Sequence, residues 1–485
     1  MGKHFIAILG TSLYEPVIYY TEGFHSKQEY IQLAVIEKYK KELLEEGSSI
    51  TIYVTESSEK RNYNDREYNE SDVNVSSRWK TGEQDSVIIG NVKKGLYTQF
   101  TEQFPELISK FECVKIADAR NEDEMWNIFE NIYSKINEND EIIFDITHGF
   151  RSIPMLALTV VNYAKTLKNC SLLNMSYGMF EAGDIHEDGE KYVPIADLTV
   201  YNEILDWTEA ANEFMKYGNA GMMTGLMEDK LKKAPNAEKR YWNEIKTSVE
   251  AASRLSDTIL TCRGIDGKKT NFDVTKHSYI SIKNAYERFA QKNTEDINKR
   301  ITNVKPLYPL FEKAKENFSI FDKDENYQIG LAVVEWSIKN GMIQQGYTAL
   351  EESIKTFLCW YYGVDEISQR DTIVGACGIA LHKGHIEKVC LETESDRLKY
   401  FEKIMADNFI KLDETNVETF KSIILTFPME LADIMNIIKD ERNDINHFGI
   451  RLKPMSCNVF ADNLKKHYTL AKDIIVKMEG EKKQE

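Results

Sequence analysis

The sequence predicts an α/β domain at the N-terminus followed by two all-α segments. Three observations carry the prediction. Strand-like and helix-like segments alternate over the first two hundred residues, the pattern of a parallel-dominated sheet wrapped by helical crossovers. From Tyr201 onward the hydrophobic periodicity is almost wholly helical. A chain of 485 residues is also too long for one compact core. Boundaries are expected near residues 200 and 325. They make 1–200 the α/β domain, 201–325 a helical connector and 326–485 a C-terminal helical domain. No short-period repeat points to a solenoid.

Taken in order, residues 5–9 form a short apolar strand closed by Gly10, Thr11 and Ser12. Ile31, Ala34, Val35 and Tyr39, continued by Leu43 and Leu44, trace a helical stripe that ends at Gly47. Residues 51–54 are β-branched and strand-like. The stretch 56–80, rich in Asn, Ser, Asp and Glu, reads as a long surface loop or insertion. Residues 113–117 give another strand, and Met125, Ile128, Phe129 and Ile132 another helix. Residues 141–145 form a buried-strand pattern that runs into Thr147-His148-Gly149-Phe150-Arg151, and Pro154 suits the first turn of a following helix. Residues 172–177 and 192–195 close the strand series. In the helical half, Trp207, Ala211, Phe214 and Met215 open the first helix, and the charged stretch 230–240 caps or joins helices. Two prolines within 305–309 punctuate the chain.

Composition bounds the function. A 42% hydrophobic fraction, 29% charged residues and a mean hydropathy of −0.45 describe a soluble protein. The longest apolar run, 153–164, is interrupted by Asn162 and falls far short of a bilayer span. Residues 5–9 are too short for a secretory signal, and Ile6 stands where a myristoylation signal needs Ser or Thr. Seven scattered cysteines do not make a disulfide framework, so a cytoplasmic protein without a membrane partner is expected. With 61 basic and 78 acidic residues the net charge is −17, which argues against a protein that coats nucleic acid through a broad basic surface. Nucleic-acid chemistry here has to be local.

Two segments stand where open parallel sheets bind ligands, beyond the carboxyl ends of strands. One is Gly10-Thr11-Ser12. The other is Thr147-His148-Gly149-Phe150-Arg151, in which Arg151 is suited to pairing with a phosphate oxygen. The same residues also suit ordinary turn chemistry. The absence of a G-x-G-x-x-G run disfavours a dinucleotide cofactor, and with it an oxidoreductase. Near the C-terminus, Leu431, Ile434, Met435 and Ile438 lead into Arg442-Asn443-Asp444-Ile445-Asn446-His447, with Gly449 as a stop. Arg442 and His447 lie about 140° apart around an ideal helix, so one copy does not easily aim both at one atom. Two copies related by a two-fold axis can share one pocket. A titratable imidazole and a permanent guanidinium suit RNA cleavage by the ribose 2′-hydroxyl. They equally suit a surface Arg and a helix-terminal His. Cys377, His382, His385 and Cys390 are four ligand-type side chains within fourteen residues, but they lack a C-x-x-C pair and are expected to hold no metal.

Together these segments resemble a known family. The run from Phe144 to Pro154, with Asp145-Ile146-Thr147-His148-Gly149-Phe150-Arg151 as its specific part, resembles the signature of CARF domains in type III CRISPR ancillary proteins. Ile8-Leu9-Gly10-Thr11-Ser12 with Tyr14 is similar to the first-strand motif of that group. Residues 344–352 resemble the opening helix of its HEPN domain, and Arg442 to His447, with Asn443 after the arginine, its catalytic motif. The resemblance covers roughly 1–200 and 330–485. It implies a Rossmann-like CARF domain, a helical connector and a HEPN domain in a cytoplasmic homodimer that binds one cyclic oligoadenylate across its two-fold axis. Cyclic tetra-adenylate is the preferred activator and cyclic hexa-adenylate the second choice. The implied ligand-binding residues are Gly10, Thr11, Ser12, Thr147, His148, Gly149, Phe150 and Arg151. The implied catalytic residues are Arg442, Asn443 and His447, acting on single-stranded RNA without a metal or other cofactor and leaving DNA uncut. Two alternatives stay open. One is a non-catalytic sensor that recruits a partner; the other is an added ring-cleaving activity in the CARF pocket.

Overall fold

In the computed structural model, which describes residues 2–67, 92–148, 152–263, 274–291 and 307–482, strand β1 (Lys3–Leu9) buries every side chain from His4 to Leu9. Only a strand covered on both faces does this. Phe5, Ala7 and Leu9 point into one layer with Ile31, Val35, Leu96 and Phe100. Ile6 and Ile8 point into the other, with Ile128, Ile132, Val160 and Val161. The chain divides into two compact units, Met1–Glu203 and Ile204–Glu485.

The remaining strands of the first unit are β2 (Val17–Thr21), β3 (Phe24–Gln28), β4 (Ser49–Val54), β5 (Arg66–Glu67), β6 (Val92–Lys93), β7 (Phe111–Lys115), β8 (Glu141–Asp145), β9 (Ser171–Gly178), β10 (Asp184–Ile185) and β11 (Lys191–Asp197). The main sheet runs β3-β2-β11-β9-β8-β1-β4-β7, with β10 beside β11. From β9 to β7 the strands are parallel. The crossovers between them carry helices α1 (Ile31–Lys38), α2 (Leu96–Gln103), α3 (Glu122–Lys135) and α4 (Ser152–Lys168). After β1 the chain builds outward through β4 and β7, then returns to place β8 and β9 on the other side of β1. The strand order therefore reverses between β1 and β8, which are hydrogen-bonded neighbours with Ala7 opposite Asp145.

The sequence pattern and the structure differ in two places. The β2–β3 hairpin, turning at Glu22 and Gly23 (φ +72°), extends the sheet beyond β11 and was not expected. The start of the stretch read as a loop from residue 56 is ordered instead. Thr55 and Ser58 form a reciprocal cap on a short turn, residues 59–63 coil into a wide helical turn, and β5 pairs with β6. The rest of that stretch, from 68 on, lies outside the described residues.

Helix α5 (Thr199–Tyr217) contains the division between the units. The second unit continues with α6 (Gly221–Lys233), α7 (Asn236–Leu260), α8 (Val274–Gln291), α9 (Leu307–Phe318), α10 (Asn326–Lys339) and α11 (Ile343–Tyr362). It ends with α12 (Ala376–Ile386), α13 (Glu394–Ala406), α14 (Val417–Thr426), α15 (Met429–Asn446) and α16 (Phe460–Lys482). This unit has two hydrophobic cores. One gathers Trp207, Trp242, Leu255 and Phe318, the other Tyr347, Phe357, Ile424 and Ile438. They meet on α10, which gives Ala332 and Trp336 to the first and Tyr327, Leu331 and Val334 to the second. No helix among the described residues is long and apolar enough to cross a membrane.

Candidate functional site

The reversal of strand order between β1 and β8 leaves a crevice at their carboxyl ends, where open α/β sheets take ligands. The two segments singled out from the sequence follow those two strands, so the sheet brings them side by side. Gly10 is buried, Thr11 half-buried and Ser12 exposed. The Gly10 amide donates to Tyr14 Oη (3.1 Å), and the Tyr14 ring meets His148 edge-on at 4.6 Å. Behind the turn, Asn62 is fully buried, and its amide nitrogen donates to the carbonyls of Gly10 (2.8 Å) and Ser12 (2.9 Å). The sequence reading missed Asn62 because its surroundings look like loop. The Thr55-x-x-Ser58 cap just after β4 was the available signal of order.

On the β8 side, Asp145 is fully buried. It accepts from the Thr147 hydroxyl (2.5 Å), the Thr147 amide (3.1 Å) and Gln32 Nε2 (3.0 Å). Burial pushes its carboxyl up to about 6, against the pull of those bonds. The Gly178 amide in turn donates to Thr147 Oγ1 (2.8 Å). A Cβ at Gly178 would lie 2.2 Å from Ile31 Cδ1, so a larger residue there displaces the buried Ile31 side chain. Burial lowers His148 to about 4, which keeps its ring neutral, and its Nε2 has no partner among the described residues. Thr147 and His148 thus stand with the Gly10 turn. Gly149, Phe150 and Arg151 lie outside the described residues.

In the second unit, α15 carries Arg442 and Asn443, and His447 is its C-terminal cap. Glu441 fastens this stretch. Its carboxylate accepts from Tyr347 Oη (2.7 Å) and Asn463 Nδ2 (2.7 Å) and pairs with His467 (3.3 Å). Arg442 turns toward α11, where Nη1 lies 2.7 Å from the buried carboxylate of Glu351, and Lys355 reaches the same group at 3.2 Å. A cavity of about 200 Å³ opens there, lined also by Asp371, Asn436 and Lys439. His447 is exposed at the helix end. No hydrogen bond joins it to Arg442, so one chain does not converge the two. A phosphate can still share Arg442 with Glu351, because guanidinium has five donors. The loop beyond exposes Phe448, Ile450 and Leu452 almost completely.

The four metal-ligand types considered together in the sequence do not share one partner. Cys377 is buried, with its thiol against the Phe420 carbonyl (3.7 Å), and Cys390 is exposed beside Asp396 (3.4 Å). His382 and His385 both bond Asp433.

The first unit is an open α/β domain whose strand order reverses between β1 and β8. Residues 4–178 match the family model of the CARF domain of the CRISPR system endoribonuclease Csx1. The chain is also 27% identical over 267 residues to the CRISPR-associated protein MJ1674 of Methanocaldococcus jannaschii, a stretch covering 54% of this chain and 36% of that protein. The chain thus spans about a third of that relative's length. Over residues 4–178, then, the chain is similar to a CARF domain, and its relative is a CRISPR-associated protein.

Proposed function

We propose that this protein is an endoribonuclease of type III CRISPR defence, switched on by a cyclic oligoadenylate bound at the CARF crevice. The observation that carries the reading is the meeting of the Gly10–Ser12 turn with Thr147 and His148 at the β1/β8 switch point of a CARF domain. Small and hydroxyl residues there let a ribose or phosphate approach backbone groups. A ring of like units suits two crevices related by a two-fold axis. In the second unit His447 is the general base or acid, Arg442 neutralises charge on the scissile phosphate, and Asn443 positions that phosphate. A homodimer supplies the convergence that one chain lacks. The ribose 2′-hydroxyl is the nucleophile, so products carry 2′,3′-cyclic phosphate and 5′-hydroxyl ends and DNA stays intact. Activation follows if the ring binds the cutting arrangement more tightly than the resting one.

The test is cleavage of a fluorescent single-stranded RNA in chelator, with cyclic tri-, tetra- and hexa-adenylate in separate reactions. Activation by one ring, cyclic tetra-adenylate by preference, and its loss in His447→Ala support the reading. Cleavage of a 2′-deoxy substrate, or loss of cleavage in chelator, sinks the mechanism. Tight ring binding without cleavage favours a sensor that recruits a partner. Linear oligoadenylate in the mixture would reveal ring cleavage in the crevice.

A further inference from the structure

The cavity beside Arg442 has a lining that Arg442, Asn443 and His447 leave unused. It lies between α11, the helical turn 370–375, α12 and α15. Part of the lining is already committed. Glu351 and Lys355 pair with each other, Glu351 also meets Arg442, and Lys355 holds one oxygen of Asp371 at 3.0 Å. Asn436 spends its amide nitrogen on the carbonyls of Gly378 (3.1 Å) and Ala432 (2.7 Å). Three polar groups are left over. The Asn436 oxygen and the second oxygen of Asp371 accept no hydrogen bond among the described residues. Lys439 is exposed, senses the Asp371 charge, and forms no ion pair among the described residues. Ile379 and Met435 supply the apolar part of the lining.

A phosphate does not suit this lining, because the carboxylates of Glu351 and Asp371 repel it. A flat heterocycle does. The apolar side chains cover its face, while two acceptors and one cation meet its edge. Two acceptors call for an exocyclic amine, which adenine, cytosine and guanine carry and uracil lacks. Asn436, Lys439 and Arg442 follow at intervals of three along α15, so the cavity and Arg442 share one side of that helix. We infer that the cavity is a base subsite, taking one amino-bearing base of single-stranded RNA next to the phosphate held at Arg442. Lys439 donates to a ring nitrogen or carbonyl of that base, and Asn436 and Asp371 accept from its amine. This role deepens the endoribonuclease reading, rests on it, and gives it a sequence preference: uracil is disfavoured next to the cut.

The test pairs binding with cleavage on the full-length protein, with cyclic tri-, tetra- and hexa-adenylate in separate reactions. Anisotropy follows binding of a short fluorescein-labelled 2′-O-methyl oligouridylate, which has no nucleophile, and of the same strand with one central A, C or G. The unmodified strands are cut in parallel and their products mapped. Lys439→Ala and Asp371→Ala are the variants; both side chains are exposed, and circular dichroism checks that each protein is folded. Strands with an amino-bearing base should bind about tenfold tighter than oligouridylate and be cut next to that base. In each variant the gap should fall below about threefold. That pattern of binding without any cleavage leaves the subsite standing and overturns the nuclease reading. Cleavage with equal binding of all four strands does the reverse. Absent binding, or a gap that both variants keep, also overturns the subsite.

Discussion

Asn62 is the residue on which the Gly10–Ser12 turn depends most directly. Its amide holds two carbonyls of the Gly10–Ser12 segment from a fully buried position. Replacing it with Ala leaves both carbonyls without that donor, at a cost of about 1–3 kcal/mol. Urea unfolding should register the loss, and calorimetry should show weaker cyclic oligoadenylate binding; unchanged values in both would remove Asn62 from the site. Asp145 and His148 make a paired prediction about pH. Asp145 is raised in the folded chain, so its contribution is complete below about 4 and is lost as the pH climbs through about 6. His148 is lowered, so its contribution is complete above 6.5 and is lost as the pH falls through about 4. The two slopes oppose each other and largely offset in the wild type. Asp145→Asn leaves only the histidine slope and should lose about 3 kcal/mol relative to wild type between pH 7 and pH 4. Unfolding curves at the two pH values decide it.

At the scale of elements, β9 packs against α1 with Gly178 facing the Ile31 side chain. Gly178→Ala places a methyl group 2.2 Å from Ile31 Cδ1 and should destabilise by about 1–3 kcal/mol. Ile31→Val removes that carbon, so the double variant should recover part of the loss in thermal unfolding. No recovery would mean that the strain lies elsewhere. On the helical side, Tyr347→Phe removes a hydroxyl that donates to the Glu441 carboxylate and should cost about 1.5–3 kcal/mol. It should also lower RNA cleavage, because Glu441 adjoins Arg442. Strands β1, β4 and β8 were legible because both their faces are buried and leave near-continuous apolar runs. The β2–β3 hairpin was not, because its pairing with β11 joins residues more than 170 positions apart.

For the whole molecule, the crevice and the Arg442–His447 segment belong to units with separate cores. His447→Ala should therefore leave ring affinity within experimental error while cleavage disappears. A large affinity loss in that variant would show that the segment supports the fold of the first unit. Light scattering should give twice the 56.1 kDa chain mass, as a pocket shared by two copies requires. Trp336 serves α10, where the two helical cores meet, and Trp336→Ala should cost about 3–5 kcal/mol in denaturant unfolding.

The sequence by itself determined the alternation of β1, β4, β7, β8 and β9 with helices α1, α3 and α4, the turns that follow β1 and β8, and the spacing of Arg442 and His447. These are local matters, set by apolar periodicity and by the residue types that close an element. The tertiary structure alone decided that β1 and β8 are neighbours at the reversal of strand order, and that Asn62 braces the turn from behind. It alone turned Arg442 to Glu351, and it joined His382 and His385 to Asp433 rather than to the cysteines nearby in sequence. Hydrogen-bond partners and burial are fixed by residues far apart in the chain, and a linear pattern carries no record of which distant group a side chain will meet.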